Sequence, residues 1–482
     1  MKQVIKMMTL LAMCVAGQEL YAQDEQSIVR YGYTPLSGSA RYVGMGGAFN
    51  ALGGDMTSIS YNPAATGVFL SNEFAISLGM NGFSTTSQYL GRGADNLETK
   101  INIPSFGIIS GNTVKNQASK WKAINFGYSY NRLKDYNSGF VLRAPSRISL
   151  SDQIVEDQQG IENTPSGLMS GPLAGEVAYQ TFLIDTFAGN TNQYVNLLDT
   201  GVVNQNYRTL TKGRIGENLI TFGANYDNRL YLGAAIGILG VNFSLEETYK
   251  EEAEANTPGA IHSFTYQYNQ TTQGTGYNFK VGAIYRVAEN LRFGLSYQTP
   301  TTFILTDQFY AYGETDNANY EYTTELYNND YNLVTPGRIG FGAAYLFGKK
   351  GLISFDYNRQ DFSQAKINNQ SFESNADINQ LIRTYLGPTN QVKVGGEYRI
   401  ERLVLRAGFG YQDSPYPASY RVNASASNSF SLGLGYNFDN ISLDFGFANT
   451  TFKDDYLPYP KTELATIKNS ISSVNAGIVF RY

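Results

Sequence analysis

Residues able to carry chemistry are scarce in this chain. Its single histidine is His262 and its single cysteine is Cys14. A general base needs positioned partners, and His262 stands alone in a predicted outer loop, where it reads as a solvated loop residue. No His/Cys grouping has metal-ligand spacing. Cys14 falls inside a removable N-terminal signal, so the mature chain is expected to hold neither a disulfide nor a thiol nucleophile. A lipid anchor on Cys14 is opposed by Met13, which is bulky where such signals carry a small residue. The run Gly44-Met45-Gly46-Gly47 invites a phosphate-loop reading. Phe49, however, stands where the dinucleotide fingerprint wants Gly, and no Lys-Ser/Thr pair follows Gly54. Tyrosine, present 37 times, would serve haem as an axial ligand, but strands and membrane interfaces already account for its abundance. The residue types therefore point away from an enzyme, and neither a metal nor a cofactor is expected.

The elements that must position these residues are strands. Lys2 and Lys6, the apolar stretch Met7 to Gly17, and Leu20-Tyr21-Ala22 before Gln23 make residues 1–22 a secretory signal. A net charge of only −5 and the lack of a basic run exclude a nucleic-acid partner, which needs a positive face. No interior segment offers the roughly 20 apolar residues of a spanning helix, so any membrane crossing must be made by strands.

Period-2 alternation recurs along the chain. Phe430, Leu432, Leu434, Tyr436 and Phe438 alternate with Ser431, Gly433, Gly435 and Asn437. Ile441, Leu443, Phe445 and Phe447 alternate with Ser442, Asp444 and Gly446. In the same way Lys280, Lys393, Glu397 and Arg406 interrupt apolar runs at every second place. Consecutive strand side chains point to opposite faces. One face is thus greasy and the other holds charges and glycines, the pattern of a transmembrane barrel with lipid outside and a polar lumen.

Short joints at Asp227-Asn228, Ala288-Glu289-Asn290, Gly348-Lys349-Lys350, Glu401-Arg402 and Asp439-Asn440 alternate with long ones near 84–100, 146–206, 250–273, 313–319, 364–390, 413–428 and 453–471. The count is fourteen strands with both ends in the periplasm: an all-β, 14-stranded antiparallel transmembrane β-barrel over 74–482, preceded by a small N-terminal hatch or plug over 23–73. The final strand alternates Val474, Ala476, Ile478, Phe480 and Tyr482, a pattern that the outer-membrane assembly machinery would read.

Residues 23–73 do not alternate. They contain Gly38-Ser39-Ala40-Arg41-Tyr42-Val43-Gly44-Met45-Gly46-Gly47-Ala48-Phe49, then Gly53-Gly54-Asp55, then Tyr61-Asn62-Pro63-Ala64-Ala65. This stretch resembles the hatch of the outer-membrane long-chain fatty acid and aromatic hydrocarbon transporters, the FadL/TodX family. Gly54-Asp55 departs from that family's more usual acidic pair. The resemblance singles out Gly44, Gly46, Gly47, Phe49, Asp55, Asn62, Pro63 and Ala64 as the hatch motif. It implies a fourteen-stranded monomer in the outer membrane that admits hydrophobic small molecules passively.

On that reading, apolar residues of the 146–206 loop (Leu183, Ile184, Phe187, Leu197 and Leu198) capture the ligand. A largely apolar pocket between hatch and wall then receives it. In the family, exit is thought to be lateral, through a gap at a kinked third strand. The matching strand here is 121–145, where Tyr136, Asn137, Ser138 and Gly139 interrupt the alternation as a bulge or a strand end. Rival readings are a structural or adhesive barrel, a general porin and a haem-binding receptor.

Overall fold

The computed structural model describes residues 26–116, 118–199, 201–255, 257–316, 320–369, 375–417 and 425–482. The signal segment expected over 1–22 lies outside them. Fourteen strands follow the alternating stretches: β1 (Glu73–Tyr89), β2 (Arg92–Thr113), β3 (Trp121–Asp135, resuming as Ser138–Ser146), β4 (Val203–Tyr226), β5 (Leu230–Ala253), β6 (Ser263–Arg286), β7 (Leu291–Gln298 and Thr301–Thr315), β8 (Tyr327–Thr335 and Arg338–Leu346), β9 (Gly351–Asp361 and Lys366–Asn369), β10 (Pro388–Ile400), β11 (Leu403–Gln412), β12 (Ser427–Asn437), β13 (Ile441–Tyr456) and β14 (Ala465–Arg481). Each pairs antiparallel with the next. β1 also pairs with β14 from Glu73↔Arg481 to Gln88↔Thr466, which closes the cylinder. Closure is what lets a sheet satisfy its backbone groups inside hydrocarbon.

The facing follows the alternation. Phe430, Leu432, Leu434 and Tyr436 are exposed on the outside, as are Phe279, Val281, Phe409 and Phe445, whereas Ser431, Lys280, Lys393, Arg406 and Asp444 are buried within. The short turns need little. Asp227 and Asn228 reach φ 57° and 53°, a left-handed region that short polar side chains tolerate.

Three differences from the sequence reading have physical causes. The joints expected at 84–100 and 250–273 are mostly ladder: β1 and β2 stay paired to Tyr89↔Arg92, and β5 and β6 to Glu252↔Ser263. Only roughly 9–11 residues are needed to cross the membrane. Above it the strands lose their greasy signature but keep their hydrogen bonds. Secondly, β7 and β8 are interrupted side by side at Thr299-Pro300 and Pro336-Gly337, because proline donates nothing to a ladder. Thirdly, the long loop after β3 folds into helices Leu150–Gln158, Pro165–Ser170 and Leu173–Gln180 and a small hairpin, Ile184–Thr186 with Tyr194–Asn196. A further helix, Asn375–Tyr385, lies between β9 and β10.

The N-terminal segment forms a helical turn over 26–32, the short helix Ala40–Gly44 and two 3-10 turns, Thr57–Ser60 and Pro63–Val68. Ser39 caps the second of these, accepting from the Tyr42 N–H at 3.1 Å, and Asn62 caps the last, accepting from the Ala64 N–H at 3.0 Å. From Ala40 to Thr66 most of its side chains are buried.

Candidate functional site

An irregular backbone at membrane depth must find its hydrogen-bond partners in protein. Here the lumen wall supplies them. Asp356 of β9 accepts from the N–H groups of Phe49 and Asn50 at 2.8 and 2.9 Å. Asn125 of β3 donates to the carbonyls of Thr66 and Phe69 at 2.8 and 2.7 Å. Lys280 of β6 and Arg338 of β8 both donate to the Ser60 carbonyl at 2.9 Å, and Asn475 of β14 donates to that of Gly38 at 3.1 Å. Lys393 lies 4.3 Å above the Tyr61 ring. The inward charges found by parity are thus the seat of this segment.

Steric fit completes the seat. Four cross-strand glycine pairs, Gly223↔Gly233, Gly294↔Gly342, Gly395↔Gly408 and Gly433↔Gly446, line up around the wall. A Cβ on any of the eight would come to 3.0 Å or closer to the N-terminal segment, chiefly its backbone at Ala40, Gly44, Met45, Gly46, Asn50, Ala51, Pro63 and Gly67.

The motif residues have packing roles in this seat. Gly44 and Gly46 take the wall contacts, the latter with φ 62°, and Gly47 turns the chain with φ 74°. Phe49 is buried and stacks on Tyr42 at 5.3 Å. Asp55 accepts from the Ser39 hydroxyl at 2.6 Å and the Thr57 N–H at 2.9 Å, knotting the two halves of the motif together. Burial raises its carboxyl above the ordinary carboxylate range. Asn62 donates to the Asn50 carbonyl at 2.7 Å, Pro63 opens the last turn, and Ala64 is fully buried.

The wall is not equally closed all round. The β2–β3 ladder runs from Thr113↔Ala123 only to Ser105↔Asn131, while β3 stays paired with β4 as far as Ser146↔Val203. A bulge at Leu133, between the pairs made by Arg132 and Lys134, starts the departure, and Tyr136 and Asn137 interrupt the strand. The resumed strand, opened by Ser138 and Gly139, passes behind the β1–β2 hairpin. There the Gly139 carbonyl accepts from Thr85 at 2.6 Å and from Asn96 at 3.1 Å. Pro104 sits where the β2–β3 ladder stops, and the β1–β2 register shifts beside it. Side-chain links take over: Asn102 reaches Asp135 at 3.5 Å, and Arg132 pairs with Asp135 at 3.2 Å.

Two expectations about apolar surfaces need correction. The apolar space between segment and wall is largely occupied, because Ile28 and Tyr31 pack against Phe303, Leu333, Phe362, Ile378 and Ile382, leaving a cavity of about 30 Å³ beside Tyr31, Leu133, Leu239 and Phe303. A cavity of about 330 Å³ does lie between segment and wall, near the short turns, but it is polar, lined by Arg41, Asp55, Glu73, Glu397, Arg406, Asp444 and Arg481 among others. In the outer loop, Leu183, Ile184 and Leu198 are buried in a small core with Leu150, Ile154 and Phe264. Of the five residues expected to capture a ligand, only Phe187 and Leu197 are exposed.

The chain's relatives bear on this arrangement. The family described as outer membrane protein transport protein (OMPP1/FadL/TodX) matches residues 220–477, more than half of the chain. The chain belongs to this family. The protein is accordingly an outer-membrane β-barrel, and its family transports hydrophobic compounds. The matched stretch leaves out the N-terminal motif, so the two signals are independent. Outer membrane protein P1 of Haemophilus influenzae is 26% identical over 214 residues, which is 42% of this chain and 45% of that protein. The chain thus matches less than half the length of this relative. The crystal structure of the Pseudomonas putida toluene transporter TodX is 13% identical, covers 93% of this chain and 99% of its own, and superposes with TM-score 0.56. A Pseudomonas aeruginosa FadL homologue is 12% identical, with 92% and 99% covered and TM-score 0.55. At these identities the two structures speak for the fold alone.

Proposed function

We propose that this protein is a passive channel for small hydrophobic molecules, plugged by residues 26–72, and that its cargo leaves sideways into the membrane between β2 and β3. The observation that carries the reading is the unpaired wall above Ser105↔Asn131. The lumen beneath is crowded by a hydrogen-bonded segment and by buried charges such as Lys280, Glu217 and Arg338. An apolar molecule would have to desolvate or displace those groups to travel along the axis, whereas between β2 and β3 it has to part only side-chain links such as Asn102 to Asp135. A family whose solved members include a toluene transporter supports an apolar cargo of the fatty acid or aromatic type. The chain performs no catalysis on it. It acts as a monomer, and the assembly machinery inserts it by recognising β14.

Bridging the gap tests the proposal. The only native cysteine is Cys14, so the variant Asn102→Cys/Asp135→Cys can be joined by a short bis-maleimide without interference from the barrel. Uptake of a fluorescent fatty acid and of toluene into cells should fall upon bridging and stay normal in each single variant. Unchanged uptake in the bridged barrel would rule out the lateral route.

A further inference from the structure

The outside of the barrel is not uniform above its apolar belt. On β4 and β5 the belt ends at the exposed Ile220 and Ile238. Even-numbered residues of both strands continue the same face. Arg214 of β4 pairs with Asn242 of β5, four residues beyond Ile238, or about 13 Å along the strand at roughly 3.3 Å per residue. Lys212 and Arg208 follow on the same face, opposite Ser244 and Thr248, about 20 and 33 Å beyond Ile238 along the tilted strand at roughly 3.3 Å per residue. All three are exposed, and among the described residues none of them has a carboxylate within ion-pair distance. Arg143 of β3 and Lys250 of β5 extend the patch. Arg143 bonds to Asn206 at 3.3 Å, and Lys250 pairs with Glu252 at 3.1 Å. Glu246 is the other acid on this face. Five cations thus face two acids.

The far side differs. Beyond the exposed Ile304 of β7, the outward positions are Gln308, Tyr310 and Glu314, and β8 presents Asp330. Cations stand elsewhere on the wall too, as at the facing pair Lys453↔Lys468 of β13 and β14, but five gather on the sector beside the gap between β2 and β3, rising from Arg214 just above the apolar belt.

We propose that this sector, centred on Arg208, Lys212 and Arg214, binds the phosphate groups of an outer-leaflet glycolipid. Charge and height support that occupant together. Solvated cations high on a loop would meet only water, but Arg214 and Lys212, the lowest of the cluster, sit nearest the level of headgroup phosphates, which guanidinium and ammonium groups hold by charge-assisted hydrogen bonds, and Arg208 continues the positive face above them. A lipid fixed there would also stand beside the wall opening.

The test uses the full mature barrel in detergent. Native mass spectrometry should find diphosphoryl lipid A retained by the wild type and fully dephosphorylated lipid A lost. The variant Arg208→Gln/Lys212→Gln/Arg214→Gln should retain it at least about tenfold more weakly, since three basic groups that attract a charged lipid surface are removed together. Lys468→Gln, an exposed lysine on β14, should retain it as the wild type does. Heat-modifiable electrophoretic mobility verifies folding. Arg214→Gln alone, expected to show a smaller loss, serves if the triple variant does not assemble. Equal retention by the folded triple variant, or by both phosphorylation states of the lipid, would overturn the proposal. So would displacement by an equal concentration of inorganic phosphate, which would mark a site for free anions.

Discussion

Gly44 of the N-terminal segment and Gly433 of β12 meet backbone to backbone: a Cβ on Gly44 would lie 2.9 Å from the Gly433 Cα, and one on Gly433 would lie 3.0 Å from the Gly44 Cα. The constraint is space, because neither residue has a left-handed φ. Gly433→Val should therefore push the segment off the wall, at a cost of about 1–3 kcal/mol for an overpacked contact. Cells carrying it should become more permeable to a bulky antibiotic while the barrel still folds. Gly240→Ala on β5 meets nothing within 4 Å and should leave permeability alone. Normal permeability in a folded Gly433→Val barrel would mean that the segment is no plug.

Lys280 and Glu217 pair at 2.6 Å with both side chains almost wholly buried. Removing one partner of such a pair strands the other charge, typically at about 3–5 kcal/mol. Lys280→Met should accordingly lower the urea midpoint of the refolded barrel markedly. The double variant Lys280→Met/Glu217→Leu should recover most of the loss. Lys280 also donates to Ser60, so full recovery is not expected. If the double variant proves as unstable as the single one, the charge imbalance is not the cause.

The fold was legible because each strand repeats one simple rule. Alternation around Phe430–Phe438 or Leu403–Tyr411 shows which face meets lipid, and Asp227-Asn228 or Glu401-Arg402 mark where the chain reverses. The position of Lys280 or Lys393 in the lumen was legible too, but not its partner, since Ser60 and Tyr61 are more than two hundred residues away in sequence. The outer loop misled for a related reason. Leu183, Ile184 and Leu198 read as a greasy surface, yet residues from other strands and loops, Ile261, Phe264 and Tyr459, close over them. The strand interruption at Tyr136-Asn137 was visible in β3. The gap beside it was not, because it depends equally on Pro104 in β2, a strand whose reading began only at residue 101 and passed over this proline.

The loop after β3 is tied to the wall at several points, among them Thr315 of β7 donating to the Thr181 carbonyl at 2.9 Å and Tyr327 of β8 to Glu176 at 3.4 Å, and its first helix is tied at Glu251. Glu251 of β5 is buried and accepts from the Leu150 N–H at 3.0 Å, from Gln205 at 2.8 Å, from Tyr459 at 3.4 Å and from the Ser149 hydroxyl. The helix Leu150–Gln158 thus begins on a carboxylate, which its N-terminal N–H groups favour. Glu251→Ala leaves the Leu150 N–H without an acceptor, at about 1–3 kcal/mol for a buried group left unpaired, while Gln205 and Tyr459 keep the Ile148 carbonyl. Hydrogen exchange over residues 147–162 should accelerate by at least tenfold, with the strands of the barrel unaffected. Exchange at the wild-type rate would show that the loop is held by its own apolar core instead.

Pro104 makes the gap between β2 and β3 a property of the sequence. Proline brings no N–H and biases the residue before it, and it stands where the ladder to β3 stops and the register to β1 shifts. Pro104→Val returns a donor at that point and removes the bias. The ladder should then extend beyond Ser105↔Asn131 towards Leu133, drawing the wall together. Two measurements follow. Amide exchange over residues 101–105 and 131–135 should slow, and uptake of a hydrophobic probe should fall severalfold, since a shorter opening admits less. A barrel whose exchange slows while its uptake holds would separate the gap from the transport route. One in which neither changes would place the cause of the opening in the Leu133 bulge.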